Sequence, residues 1–443
     1  MNKTFAIHTL GCKVNQEESA ALVNVFNGRG WRQVPFGEAA DVCIVNTCTV
    51  TQIAEKKSRN MLRRAAAVNP AVFVVATGCY VQMKPGEAGD IAGVDLLIGA
   101  NEKHRIFELA STGAAEKERR FQAVVSPARE MTEYHEIGCS ADMQVGSGGR
   151  TRAFVKIEDG CNQFCTYCIV PHVRGPVRSR PRQSVLDEIA ALVAAGYREV
   201  VLTGIHVGAD GTDWDEKRAF ADLVAGAAAV PGLQRLRLGS VEPHEVSDEL
   251  IELAAASDVI CPHFHIPLQA ADDEVLRLMG RTYDTAFFLR LLERIRCVMP
   301  QAAITTDIIA GFPGETEQHF ANALELVRQM RFADAHIFPY SRRPGTPAAD
   351  YPGQVRRVDK AERAQRLAAV AAESRRDFRR AHLGRELVVL TEQAAQRGDI
   401  AGVSGYTADY VPVFVAGDVP VGAMVRVQAE SLLSNDEVLA RPV

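Results

Sequence analysis

The feature that most limits the folds open to this chain is an alternation of short apolar runs with amphipathic stretches, and it occurs twice. From residue 1 to about 112 the runs are Thr4 to Leu10, Gln16 to Asn27, Asp41 to Val45, Thr51 to Val68, Ala71 to Thr77 and Leu96 to Ile98. Strand-like and helix-like segments in turn predict a parallel α/β sheet. From 148 to about 350 the strand-like runs are Ala153 to Ile157, Glu199 to Leu202, Arg235 to Leu238, His263 to Ile266, Ala303 to Ile309 and Ala335 to Phe338. Each precedes a polar or glycine-rich turn and a helical stretch such as Gln183 to Ala195 or Glu315 to Arg331. Six such units predict a β/α barrel or part of one, and a chain of 443 residues has room for two to three domains.

Folds of this kind bind ligands beyond the carboxyl ends of their strands. Cys12, Cys48 and Cys79 each fall just past a strand end, beside Gly, Asn or Thr, so three thiols distant in sequence can converge there. Cys43, inside its strand, reads as a small buried apolar residue. A second group, Cys161, Cys165 and Cys168, lies in the loop Glu158 to His172 after the strand Thr151 to Ile157. Ten cysteines in a chain with no secretory signal imply a reducing compartment, where clustered thiols bind metals or do redox chemistry. Structural zinc wants four ligands, yet the cysteine after Cys168 is Cys261, and His172 is the nearby substitute for a zinc knuckle. Three thiolates on an iron–sulfur cubane leave one iron open, a position for substrate.

The spacing Cys-x-x-x-Cys-x-Tyr-Cys resembles the signature of the radical S-adenosylmethionine (SAM) superfamily, and the longer string from Asp159 to Gly175 resembles the methylthiotransferases within it. Gly11-Cys12-Lys13-Val14-Asn15-Gln16, Asn46-Thr47-Cys48-Thr49-Val50 and Gly78-Cys79-Tyr80-Val81-Gln82 are similar to the three cluster-binding segments of that family's N-terminal domain. The resemblance implies two [4Fe-4S] clusters, one on Cys161, Cys165 and Cys168 with SAM on its open iron, the other on Cys12, Cys48 and Cys79. It further implies a partial six-stranded radical SAM barrel with SAM among the strand tips. SAM needs polar partners for its amino acid and ribose and an apolar wall for its adenine. Thr203, Gly204, Glu242 and Gln269 are the candidates for the polar contacts, with Tyr167 near the adenine and Arg281 near the carboxylate. The histidines near these tips, His244, His263 and His265, read as hydrogen-bonded structural residues rather than ligands, since no supporting carboxylate is evident.

Residues 113 to 147 are charged, then Gly/Ser-rich from Gln144, and read as a linker with a crossing strand; Cys139 there lacks metal-like neighbours. Bulk composition, 47% hydrophobic and 24% charged with net charge −5, is that of a globular protein and does not itself mark a nucleic-acid binder. No apolar run approaches the roughly 20 residues of a membrane span, and the expected location is the cytoplasm. Polyanion contact is expected instead from the arginine-rich helix Val355 to about Gly384. From Arg385 to Val443, short runs parted by glycines predict a small antiparallel β-barrel, and Gly405 to Tyr410 resembles the RNA-binding TRAM domain, with tyrosines suited to stacking on unpaired bases.

The expected organisation is a cluster-binding domain (1–112), a linker (113–147), a radical SAM domain (148–376), and the basic helix end with a TRAM barrel (377–443). The resemblance implies radical methylthiolation at C2 of N6-threonylcarbamoyladenosine in the tRNA anticodon loop, served by a low-potential electron donor such as flavodoxin or ferredoxin. The Lys-Val-Asn-Gln sequence after Cys12 resembles the branch acting on that nucleoside. The alternatives are the branches acting on isopentenyladenosine in tRNA or on a ribosomal-protein aspartate, and, in another class, an RNA-binding iron–sulfur redox sensor.

Overall fold

The computed structural model describes residues 3–68, 71–115, 121–138, 151–216 and 218–443. Cys139 and the run Gln144 to Arg150 lie outside the described residues. The first unit is a parallel sheet of β1 (Thr4–Thr9), β2 (Arg32–Gln33), β3 (Val42–Thr47), β4 (Phe73–Gly78), β5 (Leu96–Ile98) and β6 (Gln122–Val124), in the order β2-β1-β3-β4-β5-β6. Every residue of β3 and β4 is buried. Helices cover both faces, so these strands read as unbroken apolar runs rather than alternating ones. The apolar contacts form two clusters, one around Val45, Leu62 and Val74 and the other around Phe5, Phe26 and Val75. The sixth strand comes from the stretch read as a linker with a crossing strand.

The second unit begins with β7 (Arg152–Lys156), followed by a two-stranded hairpin of β8 (Glu158–Asp159) and β9 (Arg178–Ser179) that brackets the cysteine loop. Then come β10 (Glu199–Thr203), β11 (Arg235–Leu238), β12 (His263–His265), β13 (Ala303–Ala310) and β14 (Asp334–Pro339). β7, β10 and β11 pair in parallel, as do β12, β13 and β14, and bridges Leu236 to Ile260 and Ser240 to His265 join the halves. This is an open, six-stranded half barrel with all strand tips on one side. One large apolar cluster, from Ala153 to Val370, fills it and packs its helices.

Helix Arg357–Arg380 leads into a closed barrel of β15 (Glu386–Arg397), β16 (Ile400–Tyr406), β17 (Pro412–Ala416), β18 (Met424–Leu432) and β19 (Val438–Pro442). Its pairings are antiparallel as the sequence implied, except that β17 and β19 run parallel. Two expectations for this end need correction. Several arginines of the helix serve internal ion pairs: Arg363 to Glu315 (2.8 Å) and Arg375 to both Asp334 (3.3 Å) and Asp436 (3.2 Å). Arg376 and Arg380 remain exposed. Nor are the tyrosines free for bases. Tyr406 and Tyr410 stack on each other at 4.8 Å, with the Arg152 guanidinium over both rings and that of Arg237 over Tyr410. Arg237 also donates to the carbonyl of Ala408 (2.9 Å), and Arg235 to that of Val388 (2.6 Å). These aromatic and cationic groups are the joint that docks the small barrel on the half barrel.

Candidate active site: two three-thiol sites and a cavity at the strand tips

The N-terminal thiols gather because Asn15 ties two strand tips together, its side-chain amide donating to the carbonyls of Leu10 (2.7 Å) and Thr47 (3.0 Å). Asn46 returns a bond to the carbonyl of Asn15 (3.0 Å). Gly11 has φ +102°, and a Cβ there would lie 2.9 Å from the Cys48 sulfur, so only glycine lets β1 deliver Cys12 beside Cys48. Cys12 is exposed and stands at the N-cap of helix Lys13–Gly28, and Cys79 opens helix Cys79–Met83; desolvation raises the Cys12 thiol pKa against the opposing pull of Arg174. Burial pushes the Cys48 thiol up to about 11, and the neighbouring Cys79 and Cys12 add to the rise. Mutual repulsion of thiolates is relieved by a cation held among them, so this donor set fits a three-coordinated metal cluster.

At the other site, the loop after β8 turns back through Gly160 and Phe164, both at positive φ. The Gln163 amide points at the Cys161 sulfur (3.5 Å), and Cys168 N–H bonds the carbonyl of Cys165 (2.9 Å). Arg281 donates to the Cys165 sulfur (3.1 Å) and pairs with Glu242. Tyr167 packs at the edge of Phe312 (6.3 Å). Tyr167, Glu242 and Arg281 thus gather at the cysteine loop. Thr203 and Gly204 lie at the tip of β10, where a side chain at 204 would overlap the Glu158 carboxylate. Gln269, at φ +65°, stands at the end of β12 with its backbone clamped to Asp307 and Ile309 of β13. His172 turns its ring to Phe164 (5.8 Å), which gives the zinc-knuckle alternative no support.

The two thiol sites are fixed relative to each other by buried charge. Arg174, fully buried six residues past Cys168, donates to Glu18 (2.6 Å), Asp159 (2.9 Å) and Asn15 (2.6 Å). Lys156 bonds Glu18 (2.8 Å) and Asp159 (2.7 Å), and Lys103 also pairs with Glu18. Burial alone would raise the Glu18 pKa, but Arg174, Lys103 and Lys156 hold it well below the usual carboxylate range. On the opposite flank Arg343 reaches Glu55 (2.9 Å) and Thr49 (2.8 Å).

Beside Cys12 of the N-terminal site lies a cavity of about 500 Å³, lined by Cys12 and Lys13, by Thr203 and Gly204, by the β12 to β14 tips, and by Asp409 and Tyr410 of the C-terminal barrel. His263 and His265 share one strand face, both at hydrogen-bonding distance from the Thr305 hydroxyl (3.1 and 2.9 Å). The carboxylate that seemed to be missing is Asp307, 3.3 Å from His265, and with His336 it makes a group whose ligand atoms lie within 4.8 Å of one another. His244 is elsewhere, beside Gln163 (3.3 Å). Sequence reasoning did not single out Arg174, His206, Asp307 or His336. His206 approaches the Cys161 sulfur (3.7 Å) and is held by Glu245 (2.7 Å). Their only signal was adjacency to motif residues or to strand tips.

A six-stranded parallel half barrel with three thiols on the loop after its first strand is the architecture of radical SAM proteins. Residues 155–327 match the Radical SAM superfamily and residues 4–99 match Uncharacterized protein family UPF0004. A solved structure of the radical S-adenosylmethionine methyltransferase TsrM from Kitasatospora setae has a similar fold, with TM-score 0.60 at 17% identity, over 79% of this chain and 75% of that one. Threonylcarbamoyladenosine tRNA methylthiotransferase MtaB of Bacillus subtilis is 38% identical, covering 96% of this chain and 93% of its own length. The tRNA-2-methylthio-N(6)-dimethylallyladenosine synthase of Desulfitobacterium hafniense is 36% identical over 94% of this chain and 92% of its own. The chain belongs to the radical SAM methylthiotransferase family.

Proposed function

We propose that this protein converts N6-threonylcarbamoyladenosine in the tRNA anticodon loop to its 2-methylthio form, by radical SAM-dependent methylthiolation at C2. The observation that carries this reading is the cavity bounded by Cys12 on one wall and by Thr203 and Gly204 on another. A substrate base seated there would lie against a thiol of the N-terminal site and against the β10 tip, which packs on Glu158 at the start of the second cysteine loop. Two [4Fe-4S] clusters and SAM supply, when bound, the radical and sulfur chemistry that acid and base side chains cannot provide at an unactivated aromatic C–H bond.

Cys161, Cys165 and Cys168 would hold one cluster and Cys12, Cys48 and Cys79 the other. Arg281, with Glu242 beside it, would orient the carboxylate and amino group of SAM, Thr203, Gly204 and Gln269 would meet its polar edges, and Tyr167 would wall its adenine. The Glu18, Arg174, Lys156 and Asp159 group keeps the two thiol sites at a fixed separation, so the base need not travel between steps. The C-terminal barrel closes the cavity with Asp409 and Tyr410, and tRNA binding is assigned to that barrel and the exposed arginines beside it. A low-potential donor such as flavodoxin or ferredoxin supplies the electrons. Among the described residues no helix is long and apolar enough to cross a membrane, and a tRNA substrate places the work in the cytoplasm.

The test is mass spectrometry of tRNA nucleosides from a deletion strain, together with assay of 5′-deoxyadenosine from the anaerobically reconstituted protein. Loss of 2-methylthio-N6-threonylcarbamoyladenosine is expected. Loss of the isopentenyl derivative instead would reassign the substrate, and absence of SAM cleavage would favour the redox-sensor alternative.

A further inference from the structure

Resting on that reading, we infer that the cavity selects its substrate by the anionic end of the N6 substituent, with the Lys13 ammonium pairing its carboxylate and Asp307 accepting from its ureido N–H groups. The wall formed by the β12 to β14 tips carries polar groups. His265 stands 3.3 Å from Asp307, His336 occupies the position paired with Asp307 on the next strand, and the second carboxylate oxygen of Asp307 is buried with no hydrogen-bond partner among the described residues. An isoprenoid chain placed against this wall would strand those groups without water or partner, a penalty that lets a polar site reject an apolar analogue by orders of magnitude. A threonylcarbamoyl group offers two N–H donors, a carbonyl, a hydroxyl and a carboxylate.

The carboxylate needs a cation, and three line the cavity: Lys13, Arg237 and Arg379. Arg237 is engaged with Glu199 (2.8 Å) and the carbonyl of Ala408 (2.9 Å). Arg379 donates to the carbonyl of Asp436 (2.8 Å) and lies 3.7 Å from Asp334. Lys13 has no ion-pair or hydrogen-bond partner among the described residues, and it is exposed. It follows Cys12 directly and opens helix Lys13–Gly28, so its flexible stem reaches over whatever base lies against the N-terminal thiols. A free ammonium at one wall and the Asp307 carboxylate at another match the two ends of this substituent in sign.

The test uses the reconstituted full chain and three anticodon stem-loop RNAs of one sequence, carrying N6-threonylcarbamoyladenosine, N6-isopentenyladenosine or adenosine, with affinities read by fluorescence anisotropy under anaerobic conditions. Wild-type protein should prefer the threonylcarbamoyl RNA. Lys13→Gln should weaken that RNA by about 10- to 100-fold, the worth of one charge-assisted hydrogen bond, and leave the adenosine RNA unchanged. Lys13→Arg should keep most of the preference, and Asp307→Asn should lose part of it. Equal weakening of all three RNAs by Lys13→Gln would make Lys13 a phosphate contact and overturn the inference, as would an unchanged preference. If wild-type protein itself fails to distinguish the RNAs, the proposed substrate fails and not the role of Lys13 alone. Iron content, measured on each variant, separates either result from cluster loss.

Discussion

Changing Glu18 to Gln should unfasten the N-terminal sheet from the half barrel. Glu18 is the common anion for Lys103, Lys156 and Arg174, all of them buried, and the remaining carboxylate in the group is Asp159. Arg178 also faces Asp159 at 3.6 Å, so the variant leaves four cations around one anion. Stranding buried charge in this way costs about 3–5 kcal/mol. At roughly 2–4 °C per kcal/mol for a unit of 150–250 residues, the melting transition should fall by about 6–20 °C. Intrinsic fluorescence of the apo protein reads this directly, because Trp31 is 8% exposed within the core of the N-terminal sheet while Trp214 lies on the half barrel at 40%. Using apo protein keeps cluster loss out of the measurement. Adding Lys103→Met should recover part of the loss by removing a stranded cation, a coupling that a double-mutant cycle isolates. A melting temperature within about 1 °C of wild type would mean the ion group relaxes into water and does not hold the domains together.

Reconstituted protein should bind about eight iron and eight sulfide per chain, the content of two [4Fe-4S] clusters, and changing Cys161, Cys165 and Cys168 to Ala should halve both; zinc in place of iron would reject the assignment. Changing Cys12, Cys48 and Cys79 to Ala should abolish the 2-methylthio product but spare 5′-deoxyadenosine, and normal thiomethylation by that variant would make these cysteines structural. Reversing Arg376 and Arg380 should flatten the salt dependence of tRNA binding by about two units, one for each phosphate no longer neutralised, and an unchanged slope would remove the helix from the interface. Burial pushes Glu17 up to about 8 from 4.5, with Lys156 opposing the rise and Glu188 adding to it. A carboxyl whose folded pKa is raised contributes stability that is complete below its unfolded pKa and is lost as pH rises through the folded one. Wild-type melting temperature should therefore fall between pH 6 and 9 by more than that of Glu17→Gln, and parallel curves would reject this.

The parts of the fold that were legible in the sequence are those fixed by local periodicity. β3, β4, β10, β11 and β13 are mostly buried strands built around Val, Ile and Leu, and they begin and end within a residue or two of their sequence limits. The convergence of Cys12, Cys48 and Cys79 was also legible, because parallel strands put all their carboxyl ends on one side and each cysteine followed such an end. β6 was legible only as a crossing strand without a place in the sheet, and the C-terminal barrel only as short runs parted by glycines, both for the opposite reason. β6 is three partly exposed residues whose partner, β5, is distant in sequence, and β16 carries glycines where it crosses its neighbours closely.

The electrostatics of the site were the least legible part, since charge has no period. In sequence, the arginines of helix Arg357–Arg380 look alike, yet Arg375 and Arg379 face Asp334 and Asp436 while Arg376 and Arg380 face water. Arg174 looks like one more surface cation until the fold brings Glu18 and Asp159 to it from different domains. Asp307 shows the same limit from the other side. His263 and His265 were read as lacking a carboxylate because none is near them in sequence, but the register of β12 on β13 supplies one two residues beyond Thr305. Partner choice among charged groups is set by tertiary register, which is why the thiols that define the chemistry were evident in the sequence while the cations and carboxylates that steer it appeared only with the strands in place.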